Sequence, residues 1–216
     1  MRLLFVLSLL LLPVFQSVAA DWELVKEDKR RAIQVFLRDV PGSELREFRG
    51  EMMIRARIPS LVALVEDTSQ APNWLHQCKA LELIEAYSPQ RKLLYMVSDA
   101  PWPVTDRDSI FLSELSQDEQ GNVVINMTAR PDGFPANDDY VRIPRMNGRW
   151  TFAVQEGDMV KVTYQVHAEP GGGLPSWLIN SVVVDNPYYT LRNMARMVNE
   201  EPYRDIQLSH VHDAVH

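Results

Sequence analysis

The sequence predicts an α+β fold in which a strongly curved antiparallel β-sheet wraps around one long C-terminal helix. Residues 47–58 and 159–169 alternate apolar and polar side chains, which is the period of long strands with one buried face. Further stretches have the same period and leave room for only two short helices between them. From residue 174 onward the apolar period becomes helical. Many antiparallel strands followed by one long helix are typical of an α+β domain.

The individual strands follow from this alternation and from the turn residues that separate them. The predicted strands cover residues 21–27, 31–40, 47–58, 78–87, 92–98, 109–115, 122–130, 148–155 and 159–169. Two short helices are predicted after Pro59 and around Pro72, because proline is favoured in the first turn of a helix. Residues 99–108 and 131–147 remain as long loops, and loops of this length often lie near a functional site.

The last predicted element is an amphipathic helix over residues 174–199. The glycines at 171–173 precede it, and we interpret them as a flexible hinge. They lack the spacing of G-x-G-x-x-G and the lysine of a P-loop, so a phosphate cradle is not predicted. Pro187 interrupts the helical pattern and predicts either a kink or a division into two helices.

Residues 1–20 have the features of a secretory signal peptide. They combine a positively charged start, an apolar centre over residues 3–12 and small residues at 18–20. A membrane anchor is the alternative, but Pro13 ends an apolar run that is shorter than the roughly 20 residues needed to span a bilayer. We therefore expect a secreted or periplasmic protein, cleaved near Ala20.

Composition limits the domain count and the partners. Residues 21–200 suit one domain with a sizeable core, and residues 201–216 are expected to form a flexible tail. The 22 Lys and Arg residues against 29 Asp and Glu give a net charge of −7, which argues against nucleic acid as a partner. Cys78 is the only cysteine and is expected to be a buried small hydrophobe.

Three short motifs occur in order along the chain. They are the Trp74 helix before the fourth predicted strand, the Trp102-Pro103 loop ending in Asp106-Arg107-Asp108, and Gly172-Gly173-Leu174-Pro175 leading to Trp177. Together they resemble the START domain, the StAR-related lipid-transfer family, over residues 22–199. The resemblance implies a helix-grip fold with an internal hydrophobic cavity for one molecule. It also implies that residues 99–107 and the last helix form the mouth of that cavity.

The resemblance further implies which side chains contact the ligand. The expected ligand-binding residues are Met52, Ile54, Tyr95, Ser113, Val162, Tyr164, Trp177, Ser181, Val184, Tyr188 and Leu191. The expected gate loop contains Pro101, Trp102, Pro103 and Arg107. Members that hold sterols or ceramides often carry a charged residue on the fifth and sixth strands, at positions near Tyr95 or Met96 and near Ser113 here. Because none of these side chains is charged, we expect a polar head group to meet a hydroxyl instead.

The sequence provides no catalytic set. Arg107 and Asp108 lie where a loop meets a strand, and we expect them to hold the loop by hydrogen bonds. The motifs G-x-S-x-G, H-E-x-x-H and C-x-x-C do not occur. His210, His212 and His216 lie near Asp213 and could ligate a metal, but a polar tail has the same composition. We expect neither a metal nor a cofactor.

Three functions are compatible with these observations. The leading hypothesis is the binding, and possible transfer, of one lipid-like molecule in a tunnel gated by the last helix. An enzyme of the polyketide cyclase or aromatase type is the main alternative, and it would need ionisable groups that point inward. An interaction module with a solid core is the third. The expected partners are a hydrophobic small molecule or lipid and, transiently, a membrane, and the chain is expected to be a monomer.

Overall fold

The computed structural model describes residues 21–174 and 176–213, and the side chains of its last helix from residue 182 onward. The predicted signal peptide at residues 1–20 lies outside this part. Among the described residues, no helix is both long and apolar enough to cross a membrane.

Ten strands and three helices make up the described part of the chain. The strands are β1 (Glu23–Asp28), β2 (Ile33–Arg38), β3 (Glu47–Arg55), β4 (Cys78–Ser88), β5 (Arg91–Ser98), β6 (Arg107–Gln117), β7 (Val123–Ala129), β8 (Val141–Arg142), β9 (Arg145–Val154) and β10 (Met159–Glu169). The helices are α1 (Ile58–Glu66), α2 (Ala71–Trp74) and α3 (Ser176–Met197). Every predicted strand occurs, and β8 is an additional strand within a predicted loop.

The strands form one sheet in the order β1-β2-β3-β10-β9-β7-β6-β5-β4, with every neighbouring pair on this path antiparallel. The short strand β8 pairs in parallel with the start of β6. α3 packs against β2 and β3. This curved antiparallel sheet with a C-terminal helix confirms the predicted fold class.

The alternation in β10 divides its side chains between two faces as predicted. Val160, Val162, Tyr164 and Val166 are buried, while the residues between them are partly exposed. The buried set of β3 faces the same way, because Met52 pairs with Val162 across the strands. The apolar face of both strands therefore lies toward the helices and forms the core.

α3 is one helix across Pro187, so the predicted alternative of two helices is wrong. Gly50 on β3 provides the space for this proline. A Cβ atom on Gly50 would lie 2.9 Å from Cβ of Pro187 and 2.9 Å from Cδ1 of Leu191. Such a distance is too short for carbon atoms, so the absence of a side chain on Gly50 allows α3 to lie directly on the sheet.

The connection from β10 to α3 depends on glycine at two positions. Gly171 and Gly172 have φ angles of +66° and +62°, in the left-handed region that other residues rarely adopt. A Cβ atom on Gly171 would also lie 3.1 Å from the carbonyl oxygen of Arg142. These glycines set the path by which the chain leaves the sheet and crosses to α3.

Residues 201–213 do not form the flexible tail that the sequence predicts. Tyr203 and Val211 are buried in the core. The Tyr203 hydroxyl donates to Oδ2 of Asp67 at 2.7 Å, and Nε2 of His210 lies 3.1 Å from a carboxylate oxygen of Glu66. The widely spaced apolar residues of this polar segment are enough to anchor it beside α1.

Candidate functional site

Two adjoining cavities lie on the face of the sheet that the helices cover. The first, here called the outer chamber, has a volume of about 170 Å³ and is bounded by β3, β10, the 98–101 segment and α3. The second, the inner chamber, has a volume of about 150 Å³ and lies among β4–β7, β9, β10 and the two short helices. Val166 lines both chambers. The two chambers therefore lie next to each other on the inside of the sheet.

The outer chamber has an apolar wall with a polar rim. Its apolar lining includes Phe48, Ile143, Val166, Leu174, Val182 and Val183. Pro101 of the gate loop also lines it, and Arg46, Asp99, Arg107 and Asn186 are polar members of the lining. The gate loop, through Pro101 and Arg107, and α3 therefore both border this chamber.

Aromatic rings dominate one wall of the inner chamber. The rings of Trp150 and Tyr164 are stacked, with centroids 4.0 Å apart and an interplanar angle of 8°. The ring of Trp74 lies 5.8 Å from that of Trp150. Burial raises the pKa of the Tyr164 phenol far above its ordinary value, so this hydroxyl stays protonated. The wall is flat, apolar and uncharged, which suits a hydrocarbon or ring-shaped ligand.

The ionisable groups of the inner chamber lie together at one end. Nζ of Lys92 is 2.7 Å from Oε1 of Glu66, and His210 contacts the other oxygen of the same carboxylate. Ser113 adds a hydroxyl to the lining. Because the charges at this end are paired with one another, they close the chamber without presenting a free charge to its interior.

Arg107 points into the outer chamber from the first position of β6. Its side chain is only 7% exposed, and one terminal nitrogen donates to the backbone carbonyl of Thr105. Loss of hydration lowers the pKa of the guanidinium, and the charge of Asp106 partly offsets this. The guanidinium nevertheless remains charged at neutral pH, because arginine does not deprotonate in proteins.

Asp108 has the structural role that the sequence predicts for it. It is 1% exposed, and its two oxygens accept hydrogen bonds of 2.8 Å each from Nε and Nη2 of Arg142. Arg142 also donates to the carbonyls of Pro131 at 2.6 Å and of Pro135 at 3.0 Å. This ion pair holds the 131–147 loop against the face of the sheet that is opposite the two chambers.

Four of the predicted site residues line the chambers. Ser113 and Tyr164 line the inner chamber, and Pro101 and Arg107 line the outer one. The gate-loop residue Trp102 is 91% exposed, and Pro103 beside it is also exposed. The side chains of Trp177 and Ser181 lie outside the described part of the structure.

The other predicted ligand-binding residues do not line either chamber. Met52, Ile54, Val162, Val184 and Leu191 belong to the packed core or lie against it. The Tyr188 hydroxyl donates to Oδ2 of Asp28 at 2.9 Å. Tyr95 points to the opposite face of the sheet, where its ring lies 5.7 Å from Phe134, and its neighbour Met96 lines the inner chamber instead.

Sequence reasoning did not include several of the lining residues among its ligand contacts. Phe48 and Val166 carry the alternation of the inward faces, and Trp74 marks the second short helix, so a signal for these three was present. Asn186 had no comparable signal.

Cys78 is buried as predicted, and burial raises the pKa of its thiol to about 11, which keeps it unreactive.

Comparison with known proteins gives consistent matches over most of the chain. A sequence model of the START domain matches residues 13–201. An uncharacterised protein of Pseudomonas aeruginosa is 34% identical, over 82% of this chain and 87% of that protein. The human phosphatidylcholine transfer protein is 26% identical, over 82% of this chain and 83% of its own length.

Solved structures give a similar result. A fragment of the STAR-related lipid transfer protein from Xanthomonas axonopodis aligns with a TM-score of 0.75 at 37% identity, covering 83% of this chain and 99% of that one. Human StAR-related lipid transfer protein 5 aligns with a TM-score of 0.74 at 15% identity, covering 86% and 88% of the two chains. At that identity the second similarity concerns the fold alone.

Proposed function

The chain belongs to the START domain family, and from this premise we propose that it binds one lipid-like molecule in the two chambers and can transfer it between membranes. The observation that carries the proposal is the largely apolar lining of the two chambers, whose charged members are Arg46, Asp99 and Arg107 in the outer chamber and Glu66 and Lys92 in the inner one. Relatives named as lipid-transfer or phosphatidylcholine transfer proteins support the same function. A site of this character binds by excluding water from apolar surface.

The same lining favours binding over an enzymatic activity of the cyclase or aromatase type. Such a reaction needs an acid or base within hydrogen-bonding reach of the reacting carbon skeleton. In the described residues, Glu66 and Lys92 of the inner chamber are paired with each other, and Asp99 of the outer chamber is paired with Lys79. The guanidinium groups of Arg46 and Arg107, also in the outer chamber, do not release a proton at neutral pH. We therefore propose a carrier without turnover.

The direct test is to determine whether the chambers hold lipid. Protein purified without detergent should be incubated with phospholipid vesicles, re-isolated and analysed by native mass spectrometry, with extraction to identify the bound molecule. Ser113→Trp places a large ring in the inner chamber and is expected to reduce bound lipid about tenfold, because little space for a hydrocarbon chain would remain.

The matched control is Ser116→Trp, on the same strand. Ser116 is exposed on the opposite face of β6, so the added ring does not enter a chamber, and lipid loading should not change. Both variants should be checked for a cooperative thermal transition. A folded Ser113→Trp protein that carries as much lipid as the parent would show that the chambers are not the binding site.

We also propose that the gate loop contacts the membrane during exchange. Trp102 is 91% exposed at the tip of a loop that borders the outer chamber, and tryptophan is favoured at the boundary between water and lipid. Trp102→Ser is expected to slow lipid transfer between vesicles several-fold while leaving the bound amount at equilibrium unchanged. Movement of α3 away from this loop would then open the chamber.

Tyr87→Ser provides the comparison for Trp102→Ser. Tyr87 is also an exposed aromatic residue, but it lies near the end of β4 and outside both chamber linings. Transfer rates should be measured by the exchange of a fluorescent lipid between donor and acceptor vesicles. Equal slowing in both variants would contradict a specific role for the gate loop.

Export after cleavage near Ala20 and a monomeric state remain proposals from the sequence.

A further inference from the structure

The guanidinium of Arg107 is a buried charge without a carboxylate partner. Within the described residues, no Asp or Glu forms an ion pair with it, and its buried Nε–H finds no acceptor. The nearby carboxylate of Asp106 is occupied by Nζ of Lys79 at 2.7 Å and by the backbone N–H of Ala100 at 2.9 Å. The Thr105 carbonyl accepts from one terminal nitrogen, but the described residues supply no carboxylate to pair with the charge, and burial of an unpaired charge is costly.

Other arginines with buried nitrogen atoms do have such partners. Nε of Arg46 lies 3.2 Å from Asp39, and Nε of Arg49 lies 3.1 Å from Glu51. Arg142 is held by both oxygens of Asp108. Arg46 lines the outer chamber as well, but among the described residues Arg107 differs from these three because no Asp or Glu pairs with it.

Two further buried polar atoms without partners lie close to Arg107 in the fold. Ser109 Oγ is on the same face of β6 two residues further along, and its cross-strand neighbour is Met96 of the inner chamber. Oδ1 of Asn186 belongs to α3 and lines the outer chamber with Arg107. Nδ2 of Asn186 donates to the carbonyl of His76 at 2.9 Å, which fixes the orientation of this amide and leaves Oδ1 as the free acceptor.

We propose that the outer chamber binds the anionic group of an amphiphilic ligand, a phosphate ester or a carboxylate, against the guanidinium of Arg107. The hydrocarbon part of the ligand lies in the inner chamber, beyond Val166. Where the head group also carries a hydroxyl, that hydroxyl donates to Asn186 Oδ1. The inference rests on the proposed function and adds to it the chemical class of the ligand and its orientation, with the charged end at the mouth.

The arrangement explains why a donor with a fixed positive charge and no carboxylate partner among the described residues lines the outer chamber. A guanidinium pairs with a phosphate or carboxylate through two parallel hydrogen bonds, and its Nε atom is one of the donors in that geometry. An uncharged lipid would fill the same volume but would leave Arg107 desolvated and unpaired. The site should therefore discriminate between head groups by charge.

The test compares three lipids with matched acyl chains: phosphatidylglycerol, a free fatty acid and diacylglycerol. Each is offered in neutral carrier vesicles, and the bound amount is measured by native mass spectrometry. The intact protein is expected to take up at least one of the two anionic lipids about tenfold or more in preference to diacylglycerol, because a hydrogen bond to a charged group is lost with the neutral lipid. The lipid that is preferred identifies the phosphate or the carboxylate as the group recognised.

Arg107→Gln removes the charge and is expected to abolish this preference while uptake of diacylglycerol persists. Arg91→Gln removes the same charge from the surface, where Arg91 is half-exposed and paired with Glu114, and should leave the preference intact. A folded Arg107→Gln protein that keeps the preference for an anionic lipid would overturn the inference.

A second variant tests the same point without altering Arg107. Ser98 lies directly across from Arg107 on β5 and lines the same chamber, so Ser98→Asp places a carboxylate beside the guanidinium. The variant is expected to lose the preference for anionic lipid, and its retention would contradict the inference even if Arg107→Gln did not fold.

If the intact protein takes up diacylglycerol as readily as the anionic lipids, the inference fails and the proposed function stands. If it takes up none of the three, both are wrong.

Discussion

Replacing Asp108 by alanine is expected to lower the free energy of unfolding by about 3–5 kcal/mol. Asp108 is 1% exposed, and both of its oxygens pair with Arg142. Removal of the carboxylate leaves the guanidinium of Arg142 half-enclosed by the backbone carbonyls of the 131–147 loop, with a charge that is no longer compensated. The change should be measured by denaturant unfolding followed by tryptophan fluorescence.

The comparison for Asp108→Ala is a pair with less burial. Arg91 and Glu114 lie 3.2 Å apart on neighbouring strands, and both side chains are about half exposed to solvent. Glu114→Ala should therefore cost no more than about 1 kcal/mol. A similarly small loss in Asp108→Ala would mean that the 131–147 loop is not anchored by this ion pair.

Trp150→Ala is expected to have a comparable effect, a loss of about 3–5 kcal/mol, through packing rather than charge. Trp150 is 2% exposed and its ring is stacked on Tyr164 and close to Trp74. Truncation removes the central member of this aromatic wall and enlarges the inner chamber. Denaturant unfolding measures the loss, and lipid extraction on the same sample reports whether the larger chamber still holds a ligand.

Trp102→Ala serves as the control for the loss of a tryptophan ring. At 91% exposure, Trp102 contributes little buried surface, and its truncation should change the free energy of unfolding by less than about 0.5 kcal/mol. If Trp150→Ala cost as little, the wall of the inner chamber would have to collapse around the gap, and the aromatic packing described above would not determine the shape of the site.

The fold could be predicted from the sequence because its long strands have one buried face. In β10 the alternation is unbroken, so the predicted bounds equal the observed ones, and the inward set of β3 follows in the same way. β8 was not predicted because two residues are too few to show a period. The anchored segment after residue 200 was missed because isolated apolar residues, such as Tyr203, carry no periodic signal.

The site was predicted less well, for a physical reason. Alternation shows which face of a strand is buried, but it does not show whether a helix fills the space above that face or leaves a cavity. Met52 and Val162 face inward and are covered by packed core, whereas Val166, on the same strand as Val162, borders both chambers. The count along β5 left Tyr95 or Met96 open, and because neighbouring residues in a strand point in opposite directions, only Met96 lines the inner chamber while Tyr95 lies on the other face beside Phe134.

The position of β10 in the sheet has a consequence for how the chain folds during synthesis. In the described strand order, β10 lies between β3 and β9, so it joins the meander β1–β3 to the strands β4–β9. Until the ribosome has made β10, no strand pairs with both groups, and β3 keeps one edge unpaired. Contacts between residues this distant in sequence form slowly. The nascent chain must therefore keep apolar strand faces apart, without aggregation, until most of its residues have emerged.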